Sequence, residues 1–149
     1  MNLYKREIYI RFREADPAGI LFCGNITNLL HDSFEDFIAF IGVPWNEYFS
    51  CQDYHFPVHH LDVKFLNPFF PGEKYNVEIS VREIREHSFQ LGYRFLSLNN
   101  QIHAEAASVH VSLKSSLKLK NTEKTPIPSF LRNPLQKYFE ATRSSAIIS

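Results

Sequence analysis

"NITNLLHDSFEDFIAFIGVP", residues 25–44, decides the fold. Ile26, Leu29, Leu30, Phe34, Phe37, Ile38 and Ile41 recur at the three-and-four spacing of one helical face. Asp32, Glu35 and Asp36 fall mostly off that face. Gly42 can take a left-handed cap and Pro44 cannot continue a helix, so the element ends there. A stripe this broad has to lie against something, and the flanking chain supplies strands to cover it.

Working outward, "REIYIRFR" (6–13) alternates, with Ile8, Ile10 and Phe12 opposed to Tyr9, Arg11 and Arg13. That is a strand at period two, stopped by the Asp16-Pro17-Ala18-Gly19 turn. After the helix, "VPWNEYFSCQDY" (43–54) reads as a loop with short helical turns. "HFPVHHLDVKFLNP" (55–68) reads as one long strand with Leu61, Val63 and Phe65 on one face. Tyr75, Val77, Ile79 and Val81 mark the next strand, and Phe89, Leu91, Tyr93 and Phe95 the one after. Asn99-Asn100 is a hairpin turn, and "QIHAEAASVHVSLK" (101–114) carries Ala107, Val109, Val111 and Leu113 on one face. The tail predicts a short helix near Pro128–Glu140, interrupted at Asn133-Pro134.

The expected fold class is therefore α+β: an antiparallel sheet wrapped around one long central helix. The 149 residues suit a single domain, with a core over about 5–114 and a C-terminal helix and tail over 126–149. Sixteen basic residues balance sixteen acidic ones, so no global charge favours nucleic acid or an anionic membrane. No apolar run approaches the ~20 residues of a membrane span, and no signal-peptide core opens the chain. Cys23 and Cys51 make neither a disulfide framework nor a metal-ligand spacing. The expectation is a cytoplasmic protein with no nucleic-acid or membrane partner, no metal and no cofactor.

The chemistry-bearing stretch is "ADPAGILFCGN" (15–25), an acid at a turn followed at once by the helix entrance. With "HDSFEDFI", "FPVHHLDVKFLNPFFPGEKY" and "REIREHSFQLGYRF", it resembles the hotdog-fold thioesterases over roughly residues 5–114. The likeness is to the 4-hydroxybenzoyl-CoA thioesterase family. Several segments are similar to its 1,4-dihydroxy-2-naphthoyl-CoA thioesterase branch. The motif is an Asp, a Gly three residues on, an apolar pair and the start of the central helix. Cys23 stands where the family often has Tyr or His, and Gly24 where a bulkier residue is usual.

This resemblance implies hydrolysis of an acyl-CoA thioester, with CoA part of the substrate. Asp16 would be the nucleophile or the general base. Backbone N–H groups of Cys23, Gly24 and Asn25, at the positive end of the helix, would form the oxyanion hole. Asp before Pro is also an ordinary turn former, so the turn alone does not assign chemistry. Cys23 as nucleophile would need a lowered pKa and has no basic neighbour in sequence; small-residue packing is its alternative. Glu35, at i+4 from His31, is a possible assistant or a plain surface pair. Phe22 belongs to an aromatic set suited to an aryl or medium acyl group. His59 is a substrate-side candidate set against a structural or interface role. The resemblance places the nucleotide at the turn holding Arg85, His87 and Ser88. Lys114, Lys118 and Lys120 could add phosphate contacts or merely solubilise the surface.

A sheet around one helix leaves an edge to manage, so a homodimer with a continuous sheet is expected, and a homotetramer beyond it. The rival class is a non-catalytic acyl-CoA or small-ligand binder on the same scaffold. A hydratase would want a paired Asp and His, which the Asp16/His31 spacing does not favour.

Overall fold

The structure, a computed structural model, describes residues 2–115 and 122–148. Its main layer is a five-stranded antiparallel sheet. The strands are β1 (Tyr4–Tyr9), β3 (Val58–Phe65), β4 (Lys74–Ile84), β5 (Ser88–Ser97) and β6 (Ile102–Val111), in the order β1-β4-β5-β6-β3. The central helix α1 (Ile26–Phe40) lies on this sheet. All seven apolar residues of the predicted stripe are buried, and Ser33 between them bonds back to the Leu29 carbonyl. Each such Phe, Leu or Ile side chain contributes about 1.5–3 kcal/mol on burial. Gly42 takes φ +93° just past the helix, a left-handed value that side chains disfavour.

Three predicted boundaries move. Strand β1 ends at Tyr9, and Phe12 is 90% exposed in a short 3-10 turn, Phe12–Glu14, rather than beside Ile8 and Ile10 in the core. Alternation alone could not show that the sheet had run out of partner: Tyr9 pairs with Lys74, the first residue of β4. The long strand over 55–68 splits at Pro57 into β2 (Tyr54–His55) and β3. Pro57 lacks a donor for a ladder, and its carbonyl instead accepts from Val111 N–H. The C-terminal helix α3 (Ser129–Ile148) passes through Pro134 unbroken. Leu131, Leu135 and Tyr138 are fully buried along one face, which outweighs the hydrogen bond that Pro134 removes.

In β6 the helix-facing side is the opposite of the predicted apolar set. Ala104, Ala106, Ser108 and His110 point inward with the buried faces of β4 and β5, while Val109 and Val111 are only partly covered. A small second sheet, β2-β7-β8, uses β7 (Leu113–Ser115), whose start the sequence assigns to the end of the 101–114 strand, and β8 (Thr122–Lys124), which it does not predict. A short helix α2 (Trp45–Phe49) occupies the loop after α1.

Helix α3 closes the core beside β1 and β4. Its Tyr138 ring packs edge-on against Phe37 of α1. The Tyr138 hydroxyl accepts from Tyr4 N–H at 2.8 Å and donates to the Ile79 carbonyl, tying α3 to both strands.

Candidate active site at the helix entrance

The segment from Glu14 to Phe22 doubles back on itself. Ala15 bridges Leu21, and Asp16 N–H donates to the Ile20 carbonyl at 2.8 Å. Asp16 sits at the tip of this loop, half-buried. Its Oδ1 accepts from Ala18 N–H at 2.9 Å and, more weakly, from Ile20 N–H at 3.4 Å. Gly19 closes the loop with φ +81° and donates to the Asp16 carbonyl at 3.0 Å. The turn-forming role of Asp16 is therefore real, but it occupies one carboxylate oxygen. Among the described residues Oδ2 has no hydrogen-bond partner.

The stem of the loop is clamped to the entrance of α1. The Glu14 carbonyl accepts from Phe22 N–H at 2.9 Å and from the Asn25 side-chain amide at 3.0 Å. Cys23–Asn25 form a 3-10 turn that leads directly into α1. Here the expected oxyanion set narrows. Asn25 N–H already donates to the Phe22 carbonyl at 2.9 Å, so Asn25 acts as the clamp and not as a free donor. The N–H groups of Cys23 and Gly24 donate to no carbonyl among the described residues. Both residues are exposed. The Phe22 ring, 52% exposed, lies over Gly24: a Cβ there would come within 2.6 Å of the ring. Gly24 thus leaves room for the Phe22 ring to lie against the backbone on its Cα side.

Beside this entrance is a mostly apolar cleft of about 310 Å³ between the first turns of α1 and strands β3, β5 and β6. Leu30 and Phe34 wall it from the helix, Val58 and Leu61 from the edge strand. His31 opens onto it. Its inner lining also carries Tyr93, Ser108 and His110. The Tyr93 hydroxyl lies 2.9 Å from Ser108 Oγ, which lies 2.9 Å from His110 Nε2. The His110 ring is stacked between Phe34 (4.7 Å) and Phe89 (4.8 Å), nearly parallel to both. Burial drives its pKa down from 6.5 to about 4; the Phe56 backbone partly offsets this and the His31 ring adds to it. The ring is therefore neutral at pH 7, and among the described residues its Nδ1 makes no hydrogen bond. Burial likewise raises the Tyr93 phenol far above 10, so it stays protonated. Sequence reading missed this trio. The available signal was Ser108 and His110 at period two on the same face as Ala104 and Ala106.

The predicted nucleotide residues cluster at another place. Arg85 and His87 lie in the β4–β5 turn and Ser88 opens β5, and Arg85 and Ser88 border a hollow of about 170 Å³. Arg132 of α3 donates to the Arg85 carbonyl at 2.6 Å and the Glu86 carbonyl at 3.0 Å, which fixes the turn. The Arg85 side chain pairs with Glu83 at 2.8 Å. Lys114 is exposed on β7, opposite Tyr54. Lys118 and Lys120 lie outside the described residues. His59 is exposed on β3, next to a His60–Asp62 contact of 3.1 Å. Glu35 accepts from the Trp45 indole N–H at 3.3 Å and makes no ion pair with His31.

Within one chain these groups do not converge. The Asp16 loop joins the start of β4 through Leu21 N–H to the Phe69 carbonyl and Ile10 N–H to the Glu73 carbonyl. Arg85 follows the other end of β4, eleven residues away, or about 35 Å along the strand.

A family model, the thioesterase-like superfamily, matches residues 10–135. The chain belongs to the thioesterase-like superfamily. The resemblance to hotdog-fold thioesterases is thereby borne out. The chain is 24% identical over 132 residues to a 1,4-dihydroxy-2-naphthoyl-CoA hydrolase of Crocosphaera subtropica, covering 87% of this chain and 95% of that one. It is 27% identical over 134 residues to the protein of the same name from Synechococcus elongatus, covering 89% and 95%. Among solved structures, a 1,4-dihydroxy-2-naphthoyl-CoA thioesterase from Synechocystis superposes with TM-score 0.80 at 19% identity, over 90% of this chain and 96% of that one. A gentisyl-coenzyme A thioesterase superposes with TM-score 0.75 at 22% identity, over 89% and 99%. These superpositions fix the hotdog fold of this superfamily member. No helix among the described residues is long and apolar enough to cross a membrane.

Proposed function

We propose that this thioesterase-like protein hydrolyses an aryl-CoA thioester to the free acid and CoA. The observation that carries the reading is the clamp at the helix entrance. One carboxylate oxygen of Asp16 and the N–H groups of Cys23 and Gly24 are left unspent on two segments tied together by the Glu14 carbonyl. A thioester carbonyl held there would direct its oxygen toward the two N–H groups at the positive end of α1. Asp16 would then attack the carbonyl carbon, or deprotonate a water that does. Attack by Asp16 would release CoA thiolate and leave a mixed anhydride for water to cleave. The named activity of these two curated relatives, on a naphthoyl-CoA ester, favours an aryl acyl group.

The separation of Asp16 from the Arg85 turn supports a site shared between two subunits. The edge strand β3 exposes Val58 (52%), Leu61 (39%) and Phe65 (44%), a poor surface to leave in water. Pairing of two β3 edges would extend the sheet and cover them, giving the homodimer, with the homotetramer built from two such dimers. In that arrangement Arg85, His87, Ser88 and Lys114 would hold the nucleotide at a distance from their own Asp16.

The test is a panel of aryl- and alkyl-CoA esters assayed by release of free thiol. Turnover of aryl esters above the alkyl ones is expected. No thiol release from any ester, with CoA esters still bound, would overturn the reading in favour of a binder.

A further inference from the structure

The cleft beside α1 has mostly apolar walls, Leu30, Phe34, Val58 and Leu61, with Thr27, Asn28 and His31 on its helix side. At the levels of β5 and β6 where Leu91, Phe95, Ala104 and Ala106 fill the inward face, Tyr93, Ser108 and His110 interrupt it with a hydrogen-bonded chain. All three are fully or almost fully buried, and all three line the cleft. Burying polar groups costs free energy that Phe, Ala and Leu at these positions would not incur.

The chain of bonds is also incomplete. Among the described residues its hydrogen bonds are the two 2.9 Å links, and His110 Nδ1, buried near the Phe56 backbone, makes no further one. A neutral imidazole has one donor and one acceptor nitrogen, and each hydroxyl has one proton and two lone pairs. Two arrangements follow. In one, Tyr93 donates to Ser108 and Ser108 to His110 Nε2, leaving lone pairs on the Tyr93 and Ser108 oxygens for an incoming donor. In the other, His110 Nε2–H donates to Ser108 and Ser108 to Tyr93, leaving the Tyr93 O–H for an incoming acceptor. The trio can therefore answer a hydroxyl with His110 as the Nδ1–H tautomer, or a carbonyl oxygen with His110 as the Nε2–H tautomer and both hydroxyl protons turned. The stack of Phe34, His110 and Phe89 holds the imidazole plane fixed while it does so.

We propose that Tyr93, Ser108 and His110 are specificity-determining residues that select a flat acyl group bearing a polar oxygen substituent, which enters the cleft and completes their hydrogen-bond chain. This rests on the aryl-CoA reading above and deepens it. An unsubstituted aryl or alkyl group fills the same apolar walls but strips water from the trio without replacing its bonds, and is disfavoured for that reason.

The experiment compares 4-hydroxybenzoyl-CoA with benzoyl-CoA as substrates of the wild-type protein and of Ser108→Ala, Tyr93→Phe and His110→Phe. The wild type should prefer the hydroxylated ester by about tenfold to hundredfold in kcat/KM. Each variant should lose most of that preference by slowing the hydroxylated ester while leaving benzoyl-CoA within about threefold. Equal losses on both esters would show a merely structural network and overturn the proposal, as would a wild type without the preference. Tyr93→Phe removes one oxygen and keeps the ring, so the preference is read on that variant if the others do not fold. A parallel titration uses non-hydrolysable thioether analogues of the two esters. Preferential binding of the hydroxylated analogue by a protein that releases no thiol would uphold the selection and sink the hydrolase reading. Equal binding of both analogues alongside normal turnover would do the reverse.

Discussion

Asp16→Asn isolates the proposed chemistry from the architecture. The amide oxygen of Asn can still accept from Ala18 N–H at 2.9 Å and Ile20 N–H at 3.4 Å, so the loop keeps its internal bonds. The backbone links from Asp16 N–H to the Ile20 carbonyl and from Gly19 N–H to the Asp16 carbonyl do not involve the side chain at all. What is lost is the anionic oxygen that the loop leaves unpaired. Removing a general base typically slows turnover ~10²–10⁴-fold, or about 2.7–5.5 kcal/mol on the barrier. Asp16→Ala removes the same oxygen and the loop bonds together, so it should also destabilise the fold by roughly 0.5–1.5 kcal/mol. The assay is kcat/KM on the best ester of the panel, paired with urea unfolding of all three proteins. Asn should unfold with the wild type and turn over at least a hundredfold more slowly; Ala should be slow and less stable. An Asn variant retaining activity within about fivefold would refute the role of Asp16 as nucleophile or base.

Gly19→Ala should cost about 1–2 kcal/mol in unfolding experiments and lower kcat, because φ +81° strains any side chain even though no atom lies within 4 Å of the new Cβ. Tyr138→Phe should cost about 1–3 kcal/mol, since it strands the buried Tyr4 N–H and Ile79 carbonyl at the seam of β1 and β4; an unchanged denaturation midpoint would contradict that seam. The depressed pKa of His110, about 4 against 6.5, means that the unfolded chain binds this proton before the folded one does as pH falls. Stability from this source is complete above pH 6.5 and drains away toward pH 4, by about 2 kcal/mol between pH 7 and pH 5. The wild type should therefore lose about that much more than His110→Phe over the interval, as read by urea unfolding at each pH.

The sequence alone determined the central helix, because seven apolar side chains at helical spacing have only one way to share a face, and all seven are buried. It likewise determined the five long strands of the main sheet and the loop that presents Asp16, since Pro17 fixes its φ and Gly19 can take the positive φ that closes the turn. Tertiary structure decided what depends on a partner. β1 ends where β4 begins, a limit set by another strand and invisible in Ile8, Ile10 and Phe12. The inward face of β6 belongs to Ser108 and His110, although Val109 and Val111 are the more apolar, because strand pairing with β5 fixes which side meets the helix. Asn25 spends its N–H on Phe22 and its side chain on Glu14, an eleven-residue reach that no local rule implies. Period-two and helical patterns encode which residues lie together on a surface; only the packed chain chooses which surface is covered, and by what.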